Sequence, residues 1–169
     1  DASLRAAQAA LAELAQGIRF EELEIKKVAL ENAQRALDRS LVQLLDTVRD
    51  AYIKADDAVR NRADALFSNP RTTGPVLTSV VQNNAIRNEI EQKRVQVEEA
   101  LEGAHVVING EAKPEEKSAE AKKMLVQVAE FLDHMAFAIN NDVTSNSVVS
   151  EVTINMWRSD IAAARGSVS

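Results

Sequence analysis

The chain has 169 residues, 46% of them apolar and 27% charged, with a net charge of −6 and a pI near 5.0. Five Gly and three Pro against 27 Ala are too few turn formers for a β-sandwich or a doubly wound sheet, so composition points to an all-α fold in about one domain. Basic residues are interleaved with acids, and without a basic stripe to displace counterions nucleic acid is excluded as a partner. The absence of Cys removes disulfides, thiolate ligands and thiol nucleophiles. No apolar run approaches the ~18 residues of a membrane span. The opening Asp1-Ala-Ser-Leu-Arg does not read as a signal peptide. Without an initial Met the chain reads as a trimmed fragment whose anchor or address is missing.

Between Ala2 and Phe67 there is no Pro and a single Gly, Gly17. Apolar residues recur at Leu4, Leu11, Leu14, Ile18, Ile25, Ala29, Ala33, Leu37, Leu41, Leu44, Val48, Tyr52, Ala55, Val59 and Leu66. Steps of three, four and seven put one stripe along a helix and predict a single helix over 2–67. At 1.5 Å per residue such a helix is roughly 95 Å long, so it should be half of a paired arrangement rather than a free rod. Two prolines and Gly74 stop it in Ser68-Asn-Pro-Arg-Thr-Thr-Gly-Pro75. A second helix is predicted over 76–104. Val106-Val-Ile108 has no partner strand and reads as a helix end or loop. Pro114 opens a third helix over 114–140, with Glu115 and Glu116 favourable to its dipole. A fourth over 147–165 has Asn146 or Ser147 as N-cap and Gly166 at its end.

The three later helices cover only about half of the first. The expected architecture is therefore one elongated helical-bundle domain over 1–169. A four-helix bundle occupies its distal end, and the N-terminal part forms an antiparallel coiled-coil stalk paired with chain beyond Ser169. The bundle core is expected at Leu37, Leu41, Leu44, Val48, Val97, Leu101, Leu125, Val128 and Leu132.

Candidate chemistry is sparse. Glu102-Gly-Ala-His105 matches half of a di-iron carboxylate motif, and Glu130 and His134 share a helix face; solvated pairs explain both more simply. No nucleophile elbow, phosphate-binding loop or dinucleotide fingerprint occurs. No catalytic, cofactor-binding or metal-binding residues are expected, and the chain reads as a non-enzyme. Trp157 is assigned to the core or a helix seam, and Asn84, Asn88 and Gln92 to setting the register of a seam. The connections 68–75 and 140–146 should meet at one end as a polar tip of Asn69, Arg71, Thr72, Thr73, Asn141, Asp142 and Thr144, suited to display rather than catalysis.

A long Ala/Glu-rich first helix over Ala2–Leu66 and the segment Glu111-Ala-Lys-Pro-Glu-Glu-Lys-Ser-Ala-Glu-Ala-Lys-Lys123, with shorter returning helices and a polar tip, resemble the trypanosome glutamic acid/alanine-rich surface coat proteins. The chain departs from several relatives of that architecture in having no Cys. The resemblance implies a coat antigen at the extracellular face of the plasma membrane, held by a GPI lipid anchor beyond Ser169. It also implies neighbouring coat molecules and host antibodies as partners, with homodimer formation allowed. A second reading rests on Glu102-Gly-Ala-His-Val-Val-Ile-Asn-Gly-Glu111, which is similar to the middle of the extracytoplasmic four-helix sensor domain of bacterial chemoreceptors. Against it stand the length of the first helix and the lack of paired Arg at seam positions. An intracellular helical adaptor is the third reading.

Overall fold

The computed structural model describes residues 2–78, 81–143 and 149–168, without the side chains of Gln16 and Ile18. It is mostly helical and begins with 65 consecutive helical residues. Helix α1 covers Ala2–Asp57 and runs through Gly17 without a break. Residues Ala58–Ala63 widen into a π-helical turn, where the Asp64 N–H donates to the Val59 carbonyl five residues back. Asp64–Leu66 then tighten into a 3₁₀ turn. The π turn adds a residue per turn and rotates the residues after it relative to α1. Ala58, Val59, Ala63, Asp64 and Leu66 are buried as a result.

The chain then reverses in a hairpin. Strand β1 (Phe67–Ser68) pairs antiparallel with β2 (Val76–Leu77), with Phe67 opposite Leu77 and Ser68 opposite Val76. The connecting loop starts at Asn69, whose φ of 54° is left-handed, a conformation Asn tolerates better than most residues. Thr72 donates through both its N–H and its hydroxyl to the Asn69 carbonyl.

This hairpin corrects the expectation of a helix from residue 76. The Leu77 N–H is bound to the Glu91 carboxylate and the Thr78 N–H to the Leu66 carbonyl, so this stretch is committed to non-helical bonds. Helix α2 covers Asn84–Asn109, and the Asn83 side chain caps it by accepting from the Ala85 and Ile86 N–H groups. It also runs past the expected end at 104, because Val106, Val107 and Ile108 continue the helix. Gly110 comes directly after it, and a Cβ there would come within 2.8 Å of the Val106 carbonyl oxygen.

Helix α3 covers Pro114–Asn141, with Pro114 at its start and Glu115 and Glu116 in its first turn. Helix α4 covers Glu151–Val168. The expected caps Asn146 and Ser147 lie outside the described residues. The Ser150 hydroxyl accepts from the Thr153 N–H at the described start. The expected stop at Gly166 is passed, because the backbone there stays helical to Val168.

The chain divides into two units, Asp1–Gln43 and Leu44–Ser169. In the first, a single helix has no packing layer of its own, and every described residue before Leu41 is exposed. In the second, α3 packs against α2 and α4, and α4 packs against the π turn. The core holds Met124, Val128, Phe131 and Leu132 of α3, Ile90, Val97 and Leu101 of α2, and Ile154 and Ile161 of α4. The Phe67 ring lies 6.1 Å from that of Phe131, tying the hairpin to this core. Val48, Val97, Leu101, Val128 and Leu132 are buried as expected, and Leu44 and Leu125 are partly buried against the core. Leu41 is half-buried. Leu37 is a correction: it is 59% exposed, because it belongs to the first unit, where one helix cannot bury its own apolar face.

Candidate functional site

The most constrained polar feature of the second unit grows out of the π turn. Arg94 sits in the middle of α2 with no exposed surface, and Asp64, at the start of the 3₁₀ turn, is 8% exposed. Arg94 Nε donates to Asp64 Oδ1 at 2.7 Å and Nη2 to Asp64 Oδ2 at 3.1 Å, a bidentate fork. Nη2 also donates to Glu98 Oε2 at 2.8 Å, one turn along α2. Glu98 Oε1 in turn accepts from Arg60 Nη2 at 2.9 Å, and Arg60 Nε lies 3.1 Å from Asp56 Oδ1. At the other end Arg71 Nε lies 3.6 Å from Asp64 Oδ2. The order Arg71–Asp64–Arg94–Glu98–Arg60–Asp56 alternates in sign, so the buried charge is compensated along its length.

Burial by itself would lower the affinity of Arg94 for its proton. Hydrogen bonds to Asp64 and Glu98 outweigh it, and the guanidinium is held above its usual range. Nη1 of Arg94 makes no hydrogen bond among the described residues. Next to the chain of ion pairs, Tyr52 is pushed above the usual phenol range, first by burial and then by the negative charge of Asp56. Its ring centroid stands 5.7 Å from that of His105. On the outer side of the turn the Asp57 carboxylate is held below its usual range by Asn61 and then Arg62, which donate to its two oxygens.

Two open clefts flank this chain of charges. One, of about 600 Å³, lies between the hairpin loop and the π turn and is lined by Arg60, Asn61, Asp64, Asn69, Arg71 and Thr72. The other, of about 630 Å³, is lined by Tyr52, Asp56, Arg60, Glu102, His105 and Val106. The first holds the Arg60 and Arg71 guanidiniums together with the Asp64 carboxylate, and both guanidiniums stand beside carboxylates of the chain of ion pairs.

The expected tip residues fall into two groups. Asn69, Arg71, Thr72 and Thr73 are exposed on the hairpin loop, and Arg71 reaches back to Asp64. Asn141 is exposed and Asp142 half-buried at the end of α3. That end meets the segment between β2 and α2, not the hairpin loop: Val81 forms a bridge with Val143 and the Gln82 N–H donates to the Asp142 carbonyl at 3.4 Å. Thr144 lies outside the described residues.

The two weighed His/Glu pairs are arranged differently. His134 Nε2 lies 2.9 Å from Glu89 Oε1, and its Nδ1 is 2.7 Å from the Glu130 carbonyl rather than that residue's carboxylate. Glu102 and His105 share the second cleft. Trp157 is partly buried against the core. Asn84, Asn88 and Gln92 are exposed, and the last two flank the hairpin loop at Thr73–Pro75.

Arg94, Asp64 and Arg60 are absent from the sequence expectations. One signal was available: Ile90, Val97 and Leu101 define an apolar face, and Arg94 falls on it, four residues after Ile90 and three before Val97. A charge on a buried stripe calls for a partner. Nothing in the sequence says that the partner is Asp64, which depends on the π turn.

In the first unit the feature is apolar. Ten large apolar side chains between Leu4 and Val42 stand 47–76% exposed, well beyond the scattered apolar residues of an ordinary surface. Compared with known protein families, curated proteins and solved structures, the chain matches none.

Proposed function

We propose that this chain is a non-enzymatic surface protein in which residues 2–43 form a coiled-coil stalk and the second unit is a four-helix bundle offered for recognition. The observation that carries the reading is the exposed apolar surface of the first unit. A helix with ten exposed large apolar residues stays helical in water by covering them with other helices. The resemblance to the trypanosome glutamic acid/alanine-rich coat proteins supplies the setting: a GPI-anchored coat antigen at the cell surface, with neighbouring coat molecules and host antibodies as partners. The polar residues Asn69, Thr72, Thr73 and Asn141 offer contact groups for such recognition, and the acidic surface limits non-specific association. Treatment of the native cells with a phosphatidylinositol-specific phospholipase tests the setting. Release of the protein is expected, and retention until detergent is added removes the lipid anchor from the reading.

One observation favours the chemoreceptor-type sensor domain as a second reading. Arg60 and Arg71 line one cleft beside a π turn, and π turns inside helices are frequent at functional sites. A sensor would hold a small carboxylate there. A thermal-shift screen of carboxylates on the native chain and on Arg71→Ala decides it. Stabilisation seen only in the native chain moves this reading to first place.

A further inference from the structure

Three residues near the end of α3 reach to the helices on either side. Glu130 meets Lys93 of α2 at 3.5 Å, and Asp133 meets Arg165 of α4 at 2.7 Å. His134 Nε2 lies 2.9 Å from Glu89 Oε1 on α2. The first two contacts join a carboxylate to Lys or Arg, residue types that stay charged across the physiological range. The third depends on an imidazole, the side chain whose charge changes within that range.

The hydrogen bonds of His134 decide which form of the ring fits. Nδ1 stands 2.7 Å from the Glu130 backbone carbonyl, a group that only accepts, so Nδ1 carries a proton. Nε2 faces a carboxylate, which also only accepts when ionised. A neutral ring has one N–H and cannot serve both oxygens, whereas the imidazolium has two and serves both at once. The neighbouring charges agree. Among the described residues the carboxylates about the ring are Glu89 from α2 and Glu130 and Asp133 from α3 itself. The permanent cations are Lys93 from α2 and Arg165 from α4, each already beside one of the α3 carboxylates. Glu89 faces only His134. A proton on Nε2 completes that ion pair, and its loss leaves a lone pair against a carboxylate.

The pair lines a cleft of about 360 Å³ together with Ile86, Asp133 and Phe137. Phe137 is 56% exposed there, so an apolar surface lies beside the polar contact. We propose that Glu89 and His134 form an acid-closed clasp between α2 and α3 on the wall of this cleft. The clasp needs Glu89 ionised and His134 protonated together, so it is closed in mildly acidic solution. It opens as pH rises through the titration of His134 and frees both side chains beside Ile86 and Phe137. The inference concerns the second unit alone and is independent of the stalk and of any membrane anchor.

Nuclear magnetic resonance of the isotope-labelled full chain, titrated from pH ~5 to pH ~8, tests it. At the acid end two ring N–H signals are expected for His134, assigned by their loss in His134→Gln. The Glu89 carboxyl carbon is expected to shift in step with the His134 ring and to stay flat over the same range in His134→Gln. In Glu89→Ala the Nε2–H has no acceptor and its signal is lost to exchange with water. Both side chains lie outside the core, so helical circular dichroism is unchanged in either variant. A Glu89 carboxyl signal that ignores the His134 titration in the native chain overturns the proposal. So does an Nε2–H signal that is equally visible in Glu89→Ala.

Discussion

The ion pair between Arg94 and Asp64 allows a quantitative test of how the π turn is held. In Arg94→Met the apolar stem is kept and the charge removed. Among the described residues Asp64, 8% exposed, then keeps only Arg71 at 3.6 Å, on a side chain that is 55% exposed. Glu98 keeps Arg60 at 2.9 Å. One carboxylate is thus left buried with a weak partner, and breaking a buried pair from one side costs about 3–5 kcal/mol. That is a large share of the ~5–15 kcal/mol that holds an ordinary domain folded. Asp64→Leu leaves the Arg94 guanidinium facing Glu98 alone and should cost a similar amount.

The double variant removes both charges and replaces them with apolar groups, an exchange that is often near neutral. The coupling in the double-mutant cycle is therefore expected to reach or exceed the top of the usual ~0.5–3 kcal/mol range, with the double variant more stable than either single one. Urea unfolding, monitored by circular dichroism and by Trp157 fluorescence, reads all four corners. Additive costs, or a loss below ~1 kcal/mol for Arg94→Met, would refute the view that this buried pair fastens the turn to α2.

Burial and capping set the other expected outcomes. Leu132→Ala in the α3 core should lose about 2–5 kcal/mol, whereas Leu37→Ala, 59% exposed, should stay within ~0.5 kcal/mol on dilute monomeric protein; urea midpoints compare the two. Asn83→Ala removes the acceptor of the Ala85 and Ile86 N–H groups and should cost ~1 kcal/mol, while Asn83→Asp keeps the cap. Tyr52 is the only tyrosine, so tyrosinate absorbance reports it alone. Its folded pKa lies above 10.0, so the stability linked to its neutral form is present below pH 10.0 and is lost as pH rises through the folded value. Asp56→Asn should lower the midpoint, and a native midpoint at or below 10.0 contradicts the burial argument.

Local signals made most of the helices legible. A single Gly and no Pro before Phe67, with apolar steps of three and four, suffice for a long α1, and Pro114 with Glu115 and Glu116 marks the start of α3 to the residue. The inner face of α3 is legible from periodicity, because a helix buried on one side needs an apolar residue at each return to that side.

Tertiary structure decided the rest. The start of α2 moved from 76 to 84 because β2 finds its partner in β1 and Leu77 finds Glu91 on a later turn of α2, contacts that no local pattern encodes. Burial of Leu37 depends on whether another helix lies alongside, which periodicity cannot report. The π turn at 58–63 needs a widening that propensity does not specify, and only that rotation brings Asp64 to Arg94 across 30 residues of sequence. Sequence alone set which faces are apolar and where helices can run. The fold set which of those faces meet and which buried charge finds its opposite, because packing and ion pairing are properties of residues distant in the chain.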